Sequence, residues 1–247
     1  MKLFLRRFPG ISAVLIVAAD VVLAVLVGLA ATAVVPAIPK LPDFIALCVL
    51  AAATVILVTI LGWWRMVGWN RPAEWRHLWL LLLPALVVFL PLVKGVKPID
   101  AGTLVFLLVG YLLTGFHEET LHRGVVLRVL LSKGVWPAIL ISSLLFGLAH
   151  STNLFLHFSG QPVLVGLQIL GAFTHGVGLA ALRLRTNTLW PVMILHAAGD
   201  LFLAVGQLPV LLVDPIMDTV LFVYGLFLIW QMQRKEPLAD TSTTAAA

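Results

Sequence analysis

The sequence predicts an all-α, polytopic membrane helix bundle of about eight transmembrane helices, and three observations predict it. Hydrophobic residues make up 61% of the 247-residue chain and charged residues 11%, against roughly a quarter charged in ordinary soluble domains. Mean hydropathy is +1.08. The apolar residues are gathered into successive runs bounded by charge, Pro or Gly, each approaching the ~20 residues that a helix needs to cross a hydrocarbon core.

Taken in order, the runs are Ile11 to Val35, Phe44 to Leu61, Leu78 to Leu92, Gly102 to Phe116, Val135 to His150, Val163 to Leu182, Leu189 to Val205 and Val210 to Trp230. The fourth is short, and can continue as helix through the polar residues that follow Phe116. The fifth can be tilted or incomplete. Loop charge gives an independent check. With the N-terminus in the cytoplasm and eight crossings, 13 of the 16 Lys and Arg residues fall on the inside, leaving only Lys40, Lys94 and Lys97 outside. That is the asymmetry of the positive-inside rule, with both termini cytoplasmic. It accounts for the net charge of +5 without nucleic acid.

Cys48, the single cysteine, lies in an apolar run and reads as a structural thiol. Lys2, Arg6 and Arg7 ahead of a long apolar run resemble the start of a signal peptide, but 25 residues exceed a typical h-region, which favours an uncleaved first span. One transmembrane domain over residues 1–235 is expected, then a flexible tail over 236–247.

Against this apolar background the ionisable residues stand out, because each is costly in a bilayer or packed core unless it is paired or coordinated. The stretch Phe116-His117-Glu118-Glu119-Thr120-Leu121-His122-Arg123 superficially resembles a zinc-protease HExxH helix. Its two His residues are five apart, about 140° around a helix, and cannot easily share one metal. Glu119 and Arg123 are four apart, acid first, and can pair; as an exposed pair they would contribute ~0.3–0.5 kcal/mol. Glu118 is left on a neighbouring face, free to look into the bundle. His150 closes the fifth run, with Phe146 one turn earlier and Gly147 leaving room for a neighbouring helix. His196 lies within the seventh run with Asp200 one turn on, facing the same way. Two imidazoles and a carboxylate on three helices form a His₂Glu set of the kind that holds a catalytic zinc and leaves a position for water. Alternatively, Glu118 is the general base for that water while the His residues position it.

Glu118-Glu119-x-x-x-Arg123, Phe146-x-x-x-His150 and His196-x-x-x-Asp200, in this order on separate runs, resemble the three motifs of the CAAX protease and bacteriocin-processing family of intramembrane proteases, to which the Ras-converting prenyl-protein endopeptidase is related. The approach Leu182 to Pro191 is similar too, and the likeness covers about Gly110 to Gly206. The resemblance implies an intramembrane metal-dependent endopeptidase in which Glu118 activates water and His150 and His196 position it or hold a divalent metal, zinc foremost, with Glu118 as third ligand. Glu119 and Arg123 would shape the first motif. The third motif more often ends in Asn. Asp200 has no amide donor when ionised, so orientation of His196 or metal binding suits it better than an oxyanion role.

Three other polar features have plainer readings. Asp20 in the first run has no evident partner and is expected to pack or stay neutral. His175 in the sixth run is expected in the core or an interface, with support of the site residues from behind as the alternative. Ser159-Gly160 lacks the glycine that a rhomboid-type nucleophile would have before it. The expected partners are the bilayer and a peptide or membrane-protein substrate, with no nucleic acid; in a prokaryotic cell the membrane would be the plasma membrane. A cavity opening to the cytoplasmic half is expected, because basic loops flank Glu118 and precede His196. The competing classes are a proton or metal-ion transporter using Glu118, His196 and Asp200 and a non-proteolytic membrane scaffold.

Overall fold

The computed structural model describes residues 2–35, 40–72, 74–156 and 160–234. The tail expected after Lys235 and the Ser159 position lie outside these residues. Each of the eight runs forms a helical segment: α1 (Pro9–Val34), α2 (Leu41–Leu61), α3 (Trp75–Leu92), α4 (Ala101–Lys133), α5 (Val135–Leu156), α6 (Pro162–Thr186), α7 (Trp190–Val205) and α8 (Val210–Arg234). Seven are long and apolar enough to cross a membrane. The remaining one, α7, has 16 residues and spans about 24 Å at 1.5 Å per residue, short of a ~30 Å hydrocarbon core. Large apolar side chains such as Leu26, Ile60 and Leu211 point outward, at 60%, 64% and 76% exposure. A chain that turns its apolar surface out while closing its backbone bonds within helices is suited to lipid. It is an integral multi-pass membrane protein.

The fourth segment is where local sequence and structure diverge most. Asp100 caps it, accepting from Thr103 N at 2.9 Å. The helix then runs past Phe116 and widens into a π-helical turn over Thr120–Val126, all seven residues of which are buried. Such a turn commonly marks a functional region. The polar residues after Phe116 therefore sit within the bundle and not at a solvated helix end.

Close backbone contacts set the neighbours. A Cβ on Gly115 would lie 2.8 Å from the carbonyl oxygen of Met193, so α4 and α7 touch where Glu119 and His196 must meet. A Cβ on Gly147 would lie 2.6 Å from the Ile169 carbonyl oxygen, the room for a neighbouring helix expected at this position. Between them, residues 62–72 form a plug beneath the head of α7. Leu189 N donates to the Gly68 carbonyl at 2.8 Å and Thr188 Oγ1 to that of Asn70 at 2.7 Å. Trp69 meets Trp190 edge-on with centroids 4.3 Å apart and donates from Nε1 to Thr120 Oγ1 at 3.2 Å. Arg183, counted above among the loop charges, is buried and donates from Nε to the Val67 carbonyl at 3.1 Å. Cys48 is exposed on α2.

Candidate functional site

The two carboxylates that open the first motif have separate surroundings. Glu119 is fully buried: its Oε1 lies 3.0 Å from Nη1 of Arg123 and accepts from Nδ1 of His196 at 2.7 Å. Arg123 is buried with it, its guanidinium stacked 4.0 Å above the Phe146 ring. Glu118 retains 24% side-chain exposure and turns its Oε2 toward Nε2 of His196, 3.6 Å away. The i, i+4 pairing of Glu119 with Arg123 is therefore as the sequence predicts, but the pair is interior and not an exposed one.

His196 receives a carboxylate on each side of its ring. Nδ1 donates to Glu119, while Nε2 faces Glu118 at 3.6 Å and Asp200 Oδ2 at 3.5 Å. Glu119 makes the hydrogen bond to the ring, and Asp200, for which the sequence suggests orientation of His196 or metal binding, stands 3.5 Å from Nε2 on the other side. In the neutral ring Nε2 is an acceptor, so three acceptors surround a gap with no donor of their own. A water at roughly 2.8 Å from each could donate to two of them.

His150 approaches from α5. Its Nδ1 donates to the Phe146 carbonyl at 3.0 Å, which leaves Nε2 as the lone-pair nitrogen of the neutral ring. Phe146 is the hub of the site, with ring centroids 4.9 Å from His150, 4.9 Å from His122 and 6.1 Å from His196, all edge-on. His150, His196 and Asp200 line one cavity of about 140 Å³, and His175, Asp214 and Asp218 complete its polar wall. Its lining runs from the middle of α6 and α7, at His175 and His196, toward the C-terminal ends of α5 and α7 and the N-terminal ends of α6 and α8. It extends from the middle of the bundle away from the helix ends that carry Lys133, Arg183, Arg185 and Arg234.

His117 and His122 diverge, as their spacing predicts. His117 Nδ1 shares a 2.8 Å hydrogen bond with Thr54 Oγ1, and its Nε2 lies 3.5 Å from Asp20 Oδ2. Asp20 thus has a partner after all, three helices further along the chain. His175 is not a bland core residue either: its Nδ1 is 3.0 Å from Asp218 Oδ1, and its ring lies 5.6 Å from that of His196. Asp214 and Asp218 join the site from α8, and two carboxylates four apart in an apolar span are the same kind of signal that singles out His196 and Asp200.

The donor chemistry suits a divalent metal, since Nε2 of His150 and of His196 and the Glu118 carboxylate are left unengaged by hydrogen bonds. Among the described residues, however, no group of three or more His, Cys, Asp and Glu side chains is gathered closely enough to hold one.

A multi-pass helical bundle with a buried Glu–Arg pair, two inward imidazoles and a half-exposed carboxylate defines a membrane protein with an intramembrane polar site. Residues 100–202 match a family described as Type II CAAX prenyl endopeptidase Rce1-like, and over this segment the chain is similar to that family. The match covers all three motifs. No curated protein matches the chain, and no solved structure does.

Proposed function

We propose that the chain is an intramembrane endopeptidase that hydrolyses a peptide bond of a membrane-associated protein or peptide. The observation that carries this reading is the gap bounded by His196 Nε2, Glu118 Oε2 and Asp200 Oδ2, with Glu119 fixing the imidazole from behind. A water in this gap loses a proton to Glu118 as its oxygen attacks the substrate carbonyl carbon. Glu118 then returns that proton to the departing amide nitrogen, the C–N bond breaks, and one carboxylate and one amine are released. His196 and His150 hold the water through their Nε2 lone pairs, while Arg123 and Glu119 neutralise each other and keep the first motif rigid.

A divalent metal would need Nε2 of His150 and of His196 and the Glu118 carboxylate to draw closer together than they stand here, and would then supply Lewis-acid activation of water. The matched family is described as a CAAX prenyl endopeptidase, and for this chain the wider class of membrane-associated peptides is proposed.

The test is cleavage of a peptide library by purified protein in detergent, in wild type and Glu118→Gln, with and without a chelator. Glu118→Gln keeps the shape and removes the base, so turnover falls by about 10²-fold or more while the protein stays folded. Equal turnover in both proteins would refute the role of Glu118. Wild-type protein that cleaves nothing while supporting pH-driven ion uptake would establish the transporter instead.

A further inference from the structure

A second cavity lies apart from the three motifs, between α1 and α2. It is a groove of about 310 Å³, walled by Leu15, Ala19 and Leu23 of α1 and by Ala53 and Leu57 of α2, with Leu121 at its floor. At 1.5 Å per residue the α1 wall from Ser12 to Leu23 is about 16 Å long. The volume equals that of roughly ten waters at ~30 Å³ each, yet water needs polar partners that walls of this kind do not offer. An alkyl chain fits them. Among the described lining residues the polar side chains are Ser12, Thr54 and Asp20, and two of these are already engaged. Thr54 Oγ1 shares a 2.8 Å hydrogen bond with Nδ1 of His117, and Asp20 Oδ2 lies 3.5 Å from Nε2 of the same ring. Ser12 is left over. It is 1% exposed, and its hydroxyl is buried with no hydrogen-bond partner. A buried hydroxyl in that state calls for a polar group on whatever fills the groove.

The end of the groove nearest Ser12 is basic. Phe4 and Leu5, which also line it, belong to a short helix, Lys2–Arg7, on which Arg6 follows Lys2 by one turn on the same face. Both basic residues are exposed. Nζ of Lys2 lies 3.9 Å from where a Cβ on Gly62 would stand, at the end of α2, so positive charge sits above the second wall as well. No Asp or Glu precedes Asp20 in the sequence. A basic rim over an apolar slot complements an anionic amphiphile in both of its parts.

We infer that the groove between α1 and α2 is a binding site for one anionic phospholipid. Its phosphate is held by Lys2 and Arg6, an ester carbonyl oxygen accepts from the Ser12 hydroxyl, and one acyl chain lies along the walls toward Leu23. None of these residues belongs to the three motifs, so the inference stands apart from the proposed peptidase activity.

The test measures binding of single lipids to the full chain by native mass spectrometry from detergent, using dioleoyl phosphatidylglycerol and dioleoyl phosphatidylcholine. The two lipids share their chains and differ in net charge, and their affinity ratio is read on folded molecules only. Wild type should prefer phosphatidylglycerol by at least about tenfold, the effect of one hydrogen bond to a charged group. Lys2→Gln combined with Arg6→Gln should bring the ratio to within about threefold. Ala19→Phe fills the slot and leaves the basic rim, so it should weaken phosphatidylglycerol binding by at least about tenfold. Ala53→Phe does the same from the facing wall and serves if Ala19→Phe fails to fold. Equal wild-type affinities for the two lipids would mean that the groove takes bulk lipid, and the proposal falls. It falls also if phosphatidylglycerol binding survives both Phe variants and is lost only with the basic residues, since that is surface electrostatics without a groove. Displacement by glycerol 3-phosphate, which has the head and no chain, would make the rim a phosphate site and overturn the proposal as well.

Discussion

Nδ1 of His196 donates a 2.7 Å hydrogen bond to Oε1 of Glu119, joining residues 77 apart in the chain. The same carboxylate oxygen is 3.0 Å from Arg123, so one fully buried group holds both the imidazole of the third motif and the guanidinium of the first. This relationship changes what each substitution at the site should do.

Glu119→Gln should cost about 3 kcal/mol or more of stability, because removing one partner of a buried pair leaves the Arg123 charge uncompensated. That is several times the ~0.3–0.5 kcal/mol of an exposed pair. The midpoint of thermal unfolding in detergent checks it, and a cost at the exposed-pair level would mean that Glu119 is not interior.

The contact of α4 with α7 is testable at two glycines on one helix. Gly115→Ala should destabilise by about 1–3 kcal/mol and reduce turnover, since the new methyl would sit 2.8 Å from the Met193 carbonyl oxygen and push Glu119 away from His196. Gly110→Ala meets nothing within 4 Å and should stabilise by about 0.5–1 kcal/mol, as expected for replacing a helical glycine. Similar effects at the two positions would contradict the close approach.

Asp200 lies 3.5 Å from His196 Nε2 with 33% side-chain exposure. Asp200→Asn keeps an acceptor and adds a donor, so it should retain activity within about tenfold. Asp200→Ala should lose about ten- to hundredfold, because one side of the gap is then missing. A proton carrier at this position requires a dead Asn variant in ion uptake. Parallel measurement of peptide cleavage and pH-driven uptake therefore separates enzyme from transporter.

The cap of α4 has a pH dependence of definite sign. Hydrogen bonds from the Thr103 hydroxyl and backbone N–H hold Asp100 below the ordinary carboxylate range. A lowered folded-state pKa means that the stabilisation is fully present above the ordinary carboxylate value and is lost as pH falls through the folded one. Hydrogen exchange at the amides of 101–104 should accelerate relative to mid-helix amides at pH 3 compared with pH 6. Asp100→Ala should abolish that difference.

The sequence by itself determined the eight helical segments and the identities of the motif residues. Both are local properties: hydropathy sums along the chain, and a costly ionisable residue is conspicuous wherever it interrupts an apolar run. The pairing of Glu119 with Arg123 was legible for the same reason, since four residues make one helical turn. The tertiary structure alone decided which carboxylate meets which imidazole nitrogen. Glu119 takes Nδ1 of His196, although Asp200 is nearer in sequence, because the Gly115–Met193 contact sets the depth and rotation of α4 against α7. Asp20 finds His117, and His175 finds Asp218, for an equivalent reason: a helix turns successive residues about 100° apart, and only packing fixes which of those directions faces a partner. How far the cavity extends through the bundle was likewise beyond the loops to reveal, because positive charge orients helix ends and says nothing about how far along each helix its polar residues converge.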